Sequence, residues 1–345
     1  MNLRHLARLA RLSPSAVSRA LRDSPKVSAA TKERVLRLAQ QHGYRPDPRL
    51  SAIMMQLRKP RTKRQSACLG VISFYDALRP WEYSFHSNRV FQAMTRRADE
   101  LGYRLEPFCL RAPGMNYRRF KSMLKARGIE GLLCFGSPNV DEDFPEELND
   151  FAVVTIGLSI RTHLHRVTSH PYNDTVEALN RLHRLGYRRP GLVLSRYEEL
   201  RGAHNYSAAY LGWCEHSLGL PHALPILRLD QVEASPLTDW LDGQQPDSLL
   251  FVHFHHMLDE FRTVLNQHSV RVPEDLGVAV VTHTLEGTGF AGLQHNQRQL
   301  GARAVELLAG HIASRDFGIP ANPRLEMVEG KWVDGPSLRH PAVKR

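Results

Sequence analysis

Pro14, Ser15, Ser18, Arg19 and Arg22 fall on one face of a short helical pattern, with Val17, Ala20 and Leu21 on the other. A guanidinium among short hydroxyls suits hydrogen bonding to base edges, because guanine presents two acceptors side by side in the major groove. An ordinary amphipathic surface helix would carry the same pattern, so the flanking residues must decide. A second group is His253, His255 and His256, with His283 and His295 further on. Strand alternation puts His253 and His255 on one face and His256 on the other, so at most two converge. Catalytic zinc usually takes three protein ligands, so neither a metal site nor a cofactor is expected. The sequence contains no G-x-S-x-G, H-E-x-x-H or Walker-type loop, and no enzymatic activity is expected.

The elements that would position Arg19 are legible. Ser13 can cap the helix through its hydroxyl, and Pro14 sits at the first helical position, where a missing N–H costs nothing. Asn2 can cap a preceding helix whose Leu3, Leu6, Leu9 and Ala10 form an apolar stripe. Ser28 can cap a third, with Val35, Leu38 and Ala39 inward and Gly43 placed to end it. Three short helices within about 45 residues make a helix-turn-helix unit.

Leu6-Ala7-Arg8-Leu9-Ala10, Ser13 to Leu21, Ser24-Pro25-Lys26-Val27-Ser28, Thr31 to Val35 and Gly43-Tyr44-Arg45-Pro46 together closely resemble the LacI/GalR family of bacterial transcriptional regulators. The family usually carries glycine in the turn where this chain has Arg11. If that position needs a positive φ, Arg11 strains it by roughly 1 kcal/mol. The resemblance implies base contacts by Pro14, Ser15 and Arg19 and phosphate contacts by Ser18, Ser28 and Thr31. Leu3, Ser13, Arg22, Lys26 and Tyr44 complete the expected DNA surface. It also implies a hinge helix that folds on the operator and wedges an apolar side chain into the minor groove. Asp47-Pro48 can open such a helix, and the wedge falls on Ile53 with Met54 beside it. The basic tail Lys59-Pro60-Arg61-Thr62-Lys63-Arg64 makes this linker longer than the usual family hinge.

Charge is distributed to match. Residues 1–65 hold 16 Lys and Arg against 3 Asp and Glu, so the remaining 280 of 345 residues carry a net −2. Such asymmetry predicts a polyanionic partner for the N-terminal part alone. Cys68, Cys109, Cys134 and Cys214 form no C-x-x-C pair, and three of them sit in apolar runs as small hydrophobes. With neither a signal-like leader nor a run of membrane-spanning length, a cytoplasmic location without membrane partners is expected.

From Cys68 onward, short apolar runs alternate with helical stretches, as in parallel α/β sheets. The runs are Leu69–Phe74, Ile129–Phe135, Val153–Ile156, Gly191–Leu194, Leu249–His253 and Gly277–Val281. Helices are expected at Val90–Leu101 and Asn173–Leu185. Gly186–Pro190, Val272–Val278 and Gln299–Ala304 resemble the family's sensor domain. The fold implied is an all-α helix-turn-helix DNA-binding domain (1–46) plus a hinge helix and basic linker (47–66). A two-lobed α/β periplasmic-binding-protein-like domain (67–345) follows, for effector binding and dimerisation. Its first lobe is placed at about 67–160 and 286–318, its second at about 161–285 and 319–345.

Ligands of open α/β sheets sit beyond the carboxyl ends of the strands. Those ends offer Phe74, Tyr75, Asp76, Ser137, Ser159, His255, His256 and His283, and the first loop adds Trp81 and Tyr83. Aromatic faces among hydroxyls and imidazoles suit a sugar or a nucleoside. The same aromatics would serve equally well in a core. For the arginine that the family places early in the second lobe, Arg201 and Asn205 are the nearest matches. Two acidic positions of the family are replaced around Phe254–His256 and His283, leaving a changed ligand, or none, as alternatives. The resemblance as a whole implies a homodimeric repressor that reads a pseudo-palindromic operator under the control of a small, sugar-like effector. An activator, a ligand-independent regulator and a sugar-binding or enzymatic domain with an accessory helix-turn-helix are the rival readings.

Overall fold

A computed structural model describes residues 3–21, 27–42, 44, 67–218, 223–252, 257–282 and 284–339. The chain divides into two compact units, residues 1–65 and 66–345.

In the first unit, α1 (Leu3–Leu9), α2 (Pro14–Ala20) and α3 (Ala29–Gln41) enclose a small core of Leu6, Ala7, Ala10, Val17, Ala20, Val35 and Ala39. Leu9, expected in the apolar stripe, is 41% exposed, because Ala7 and Ala10 fill the inward positions of α1 on either side of it. The turn after α1 closes through Leu12 N–H to Ala7 O, and Arg11 there takes φ 50°, in the left-handed region. Arg34 of α3 donates to Ala10 O at 3.2 Å and ties the third helix to that turn. The expected caps at Asn2 and Gly43 lie outside the described residues.

The second unit holds two six-stranded sheets. The first has strands β1 (Ala67–Ser73), β2 (Tyr103–Cys109), β3 (Gly131–Cys134), β4 (Ala152–Ile156), β5 (His165–Ser169) and β11 (Leu325–Val328) in the order β11-β5-β4-β3-β1-β2, all parallel. The second has β6 (Pro190–Leu194), β7 (Leu227–Arg228), β8 (Ser248–Val252), β9 (Gly277–Thr282), β10 (Ala291–Gln294) and β12 (Lys331–Val333) in the order β12-β10-β9-β8-β6-β7. Only β12 runs antiparallel to its neighbour. The inner strands β3, β6, β8 and β9 are buried on both faces, which accounts for their continuous apolar runs. On one face of the first sheet, α4 (Phe85–Glu100) packs against α11 (Gln297–Ser314). Gly301 lies against Val90 O, where a β-carbon would not fit. Helices α5 (Tyr117–Ala126), α6 (Pro171–Arg184), α7 (Arg196–Arg201), α8 (Asn205–Leu218), α9 (Ala234–Gln244) and α10 (Leu258–Gln267) complete the layers.

The chain passes between the sheets three times, after β5, after β10 and after β11. This redraws the lobes. Residues 165–169 and 325–328 join the first sheet rather than the second lobe, and 291–294 joins the second sheet rather than the first. Apolar runs of the same type feed both sheets, so periodicity alone does not say which sheet a strand enters. Among the described residues, no helix is long and apolar enough to cross a membrane.

Candidate DNA-reading helix and ligand cleft

Ser13 caps α2 by accepting from Ala16 N–H at 3.2 Å, and Pro14 follows at the first turn. Val17 and Ala20 are buried, which turns Pro14 and Arg19 to the exposed side. Ser18 is half-buried. Ser28 caps α3, accepting from Thr31 N–H at 3.4 Å while donating to Thr31 Oγ1 at 2.9 Å. Two of the three hydroxyls expected to meet phosphate, Ser28 and Thr31, are therefore already aligned at one helix N-terminus. Tyr44 packs half-buried against the core of this unit. Leu3 and Ser15 lie on α1 and α2. Arg22, Lys26, Ile53, Met54 and the whole hinge stretch lie outside the described residues.

Between the two sheets of the second unit lies a cavity of about 640 Å³. The first sheet's side contributes Tyr75, Asp76, Tyr83 and His86, the second contributes Tyr197, Glu198, Arg201 and Tyr206, and the crossover after β10 contributes His295. Helix α7 explains the second set. Ser195 follows β6 and caps α7 by accepting from Glu198 N–H at 3.0 Å. Tyr197 and Arg201, four residues apart, then share one face. Arg201 Nη1 donates to Tyr197 Oη at 2.8 Å and to Ser137 O at 3.0 Å. Tyr197 Oη in turn donates to Pro138 O at 3.4 Å, so one helical turn of the second lobe is bonded to the 137–138 loop of the first.

Burial sets the charges here. It pushes His86 down to about 3, aided by His295 and Arg201, and pushes His295 down to about 4. Both imidazoles are therefore neutral at neutral pH and can each offer one donor and one acceptor. Burial raises Glu198 above the usual carboxylate range, with Arg201 pulling the other way. Its Oε1 has no hydrogen-bond partner among the described residues. Behind the cavity, Asp174 on the first turn of α6 is 1% exposed and is pushed up to about 7 by burial. Its Oδ1 accepts from Gly330 N–H at 2.9 Å, and its Oδ2 stands 3.9 Å from His295 Nε2.

Of the residues expected at the ligand, Tyr75, Asp76, Tyr83 and Arg201 line the cavity. Phe74 instead packs with Phe108 and Phe120 in a core, and Trp81 stacks on Phe91 with ring centroids 4.1 Å apart. Ser137 and Ser159 form a layer behind the wall: Ser137 N–H donates to Ser159 Oγ at 3.0 Å, and Ser137 Oγ donates to Glu142 at 2.8 Å. Asn205 opens α8 with its amide donating to Gly202 O at 2.8 Å. His255, His256 and His283 lie outside the described residues. His86, Tyr197, Glu198 and Tyr206 are not among the expected residues, and His295 is named in the sequence only with the histidine group weighed for a metal. The rule of strand ends stops at Ser195–Arg196, whereas helical spacing from the Ser195 cap would have reached Tyr197, Glu198 and Arg201.

One histidine cluster lies elsewhere. His165 and His311 stack 3.7 Å apart and both meet Asp316, at 3.2 and 2.9 Å. His165 Nδ1 accepts from Arg324 N–H, so its proton sits on Nε2 and points to Asp316. A metal at Nε2 would have to displace that proton, which makes the trio a hydrogen-bonded lock joining β5, α11 and the approach to β11.

Residues 2–47 match the family described as "Bacterial regulatory proteins, lacI family", and residues 179–338 match the periplasmic binding protein-like domain. The HTH-type transcriptional repressor CytR of Escherichia coli K12 is 23% identical over 281 residues, covering 80% of this chain and 78% of its own. A transcriptional regulator CelR–cellobiose complex superposes with a TM-score of 0.60 at 19% identity, covering 98% of this chain and 99% of its own. The lac repressor dimer bound to operator and the anti-inducer ONPF superposes at 0.58 with 17% identity, covering 98% of each chain. With a lacI-type helix-turn-helix ahead of a periplasmic-binding-protein-like domain, the chain belongs to the LacI family of bacterial regulatory proteins.

Proposed function

We propose that this protein is a homodimeric transcriptional repressor whose grip on operator DNA is set by a small polyhydroxylated ligand, a sugar or related metabolite, held between its lobes. The observation that carries the reading is Arg201. It is a charged side chain in the wall of a cavity of ligand size, already bonded across the cleft to Ser137 O. A ligand seated there changes the free energy of lobe closure, and a regulator of this kind needs such a difference. Tyr75, Tyr83, Tyr197 and Tyr206 offer flat faces for C–H groups, and the neutral imidazoles of His86 and His295 offer donors and acceptors for hydroxyls. The similar CelR structure holds cellobiose and the lac repressor structure holds ONPF, which supports a sugar-like ligand. Pro14, Ser15 and Arg19 read bases, while Ser18, Ser28 and Thr31 hold phosphates. Two copies related by a two-fold axis then read a pseudo-palindrome.

The test is selection of duplexes from a random pool by the purified full-length chain, followed by a thermal-shift screen of sugars and nucleosides. An enriched pseudo-palindrome, together with a compound that both raises the melting temperature and alters retention of that duplex, is the expected result. Enrichment of no sequence, with and without a metabolite pool, would sink the reading.

A further inference from the structure

Beside the cleft lies a recess of about 340 Å³ with a chemistry of its own. Arg89 and Arg96 of α4, Arg298 at the start of α11 and Lys331 at the start of β12 line it, and no carboxylate does. Arg89 is paired with the exposed Glu286 at 3.0 Å. Arg96, Arg298 and Lys331 have no ion-pair partner among the described residues.

A solvated basic surface does not account for this. The second unit carries a net −2, and its other arginines nearby are neutralised. Arg97, the neighbour of Arg96, pairs with Glu100 and Glu306, and Arg303, one turn past Arg298, pairs with Glu306 and Glu326. Cations gathered from three elements into one concavity repel one another unless an anion occupies it. The first turn of α11 also holds no acidic residue, and the neutral Asn296 caps it by accepting from Gln299 N–H at 3.3 Å.

From this convergence of unpaired cations we propose that the recess is a second ligand site, one that takes a phosphoryl group. The group is either free inorganic phosphate or the phosphate of a small metabolite. The site stands apart from the identity of the cleft ligand, but it is placed to influence that ligand. His295 forms part of both walls. Arg96 and Arg298 belong to the first lobe, and Gln294 and Lys331 to the second, so a bound anion bridges two of the three crossovers. Occupancy therefore biases the lobes toward the arrangement in which these cations converge.

The experiment is calorimetric titration of the full-length chain with inorganic phosphate, then with ribose 5-phosphate and glycerol 3-phosphate, at constant ionic strength. The variants are Arg96→Ala, Arg298→Ala and Lys331→Ala, with Arg119→Ala as a charge-matched control on α5 and Arg19→Ala for the DNA-reading helix. Saturable binding of one phosphate per chain is expected. Each recess variant should weaken it about tenfold or more, as for loss of a charge-assisted hydrogen bond, and both controls should leave it intact. Equal affinity for free phosphate and for both esters assigns the site to the free ion. Tighter binding of an ester by the same variant-sensitive site assigns it to a metabolite. Binding lost in Arg19→Ala but kept in the recess variants would place the phosphate on the DNA-reading unit and overturn the proposal. No saturable binding, or recess variants that change only the oligomeric state, would overturn it as well. Circular dichroism melts of the three variants, each an exposed substitution on a different element, separate loss of the site from loss of the fold.

Discussion

Asp174 is a residue whose environment departs far from its solution chemistry in a way that can be measured. Its carboxyl is pushed up to about 7 by burial, against the Gly330 N–H that favours the charged form. In the unfolded chain it titrates near the ordinary carboxylate value of about 4. Between these values the unfolded chain has released a proton that the folded chain still holds. The stability this group contributes is thus present below about pH 4 and is lost as pH rises to about 7. His86 and His295 act in the opposite sense, since their folded values of about 3 and about 4 lie below the ordinary 6.5, so acid destabilises through them. Asp174→Asn keeps an oxygen for Gly330 N–H and removes the titration. The stability of this variant relative to wild type should climb between pH 4 and 7 by at most about 4 kcal/mol, read by urea unfolding at each pH. Parallel stability curves for the two proteins would show that Asp174 is ionised at little cost. Nothing in the sequence marks this residue. It reads as an acid in the first turn of a helix, and only the return of the chain at Gly330 and His295 buries it.

At the scale of elements, the helix-turn-helix was legible because its signals are local: Ser13, Pro14 and Ser28 act within three residues of themselves. Ser28→Ala should cost about 1 kcal/mol in thermal unfolding, since it removes the acceptor for Thr31 N–H and the partner of the Thr31 hydroxyl. No change in the melting transition would mean that water caps α3 equally well. The turn residue makes the opposite prediction. Arg11 holds φ 50°, where a β-carbon is disfavoured, so Arg11→Gly should stabilise the chain by about 0.5–1 kcal/mol. A destabilised variant would show that the side chain makes contacts worth more than the strain. The strands were also legible, as apolar runs, but their sheet membership was not. Residues 165–169 and 291–294 enter sheets decided by where the crossovers fall, which is a property of the whole chain. The cavity wall was half legible for the same reason. Tyr75 and Asp76 follow a strand directly, whereas His295 reaches the cleft only because β10 lies in the other sheet from the helix it precedes.

For the molecule as a whole, charge and closure are separate variables. The net +13 of residues 1–65 beside the −2 of the rest predicts that salt dependence of DNA binding belongs to the first unit. Replacing Lys63 and Arg64 by alanine should reduce the slope of log K against log salt by up to about 2 without altering the selected sequence. An altered consensus would mean that these cations read bases. Closure is governed instead by bonds such as that from Arg201 to Ser137 O, which exist only when the lobes are together. If the cleft ligand works by shifting that closure, its effect on operator affinity must equal the operator's effect on its own affinity, a coupling typically of about 1–3 kcal/mol. Arg201→Ala should remove this coupling. The measurement is a pair of titrations: operator with and without the compound returned by the thermal-shift screen, and compound with and without operator. Reciprocal shifts that vanish in Arg201→Ala would make the arginine the link between cleft and DNA. A ligand affinity indifferent to operator in the wild-type chain would show instead that the cleft ligand does not govern DNA binding.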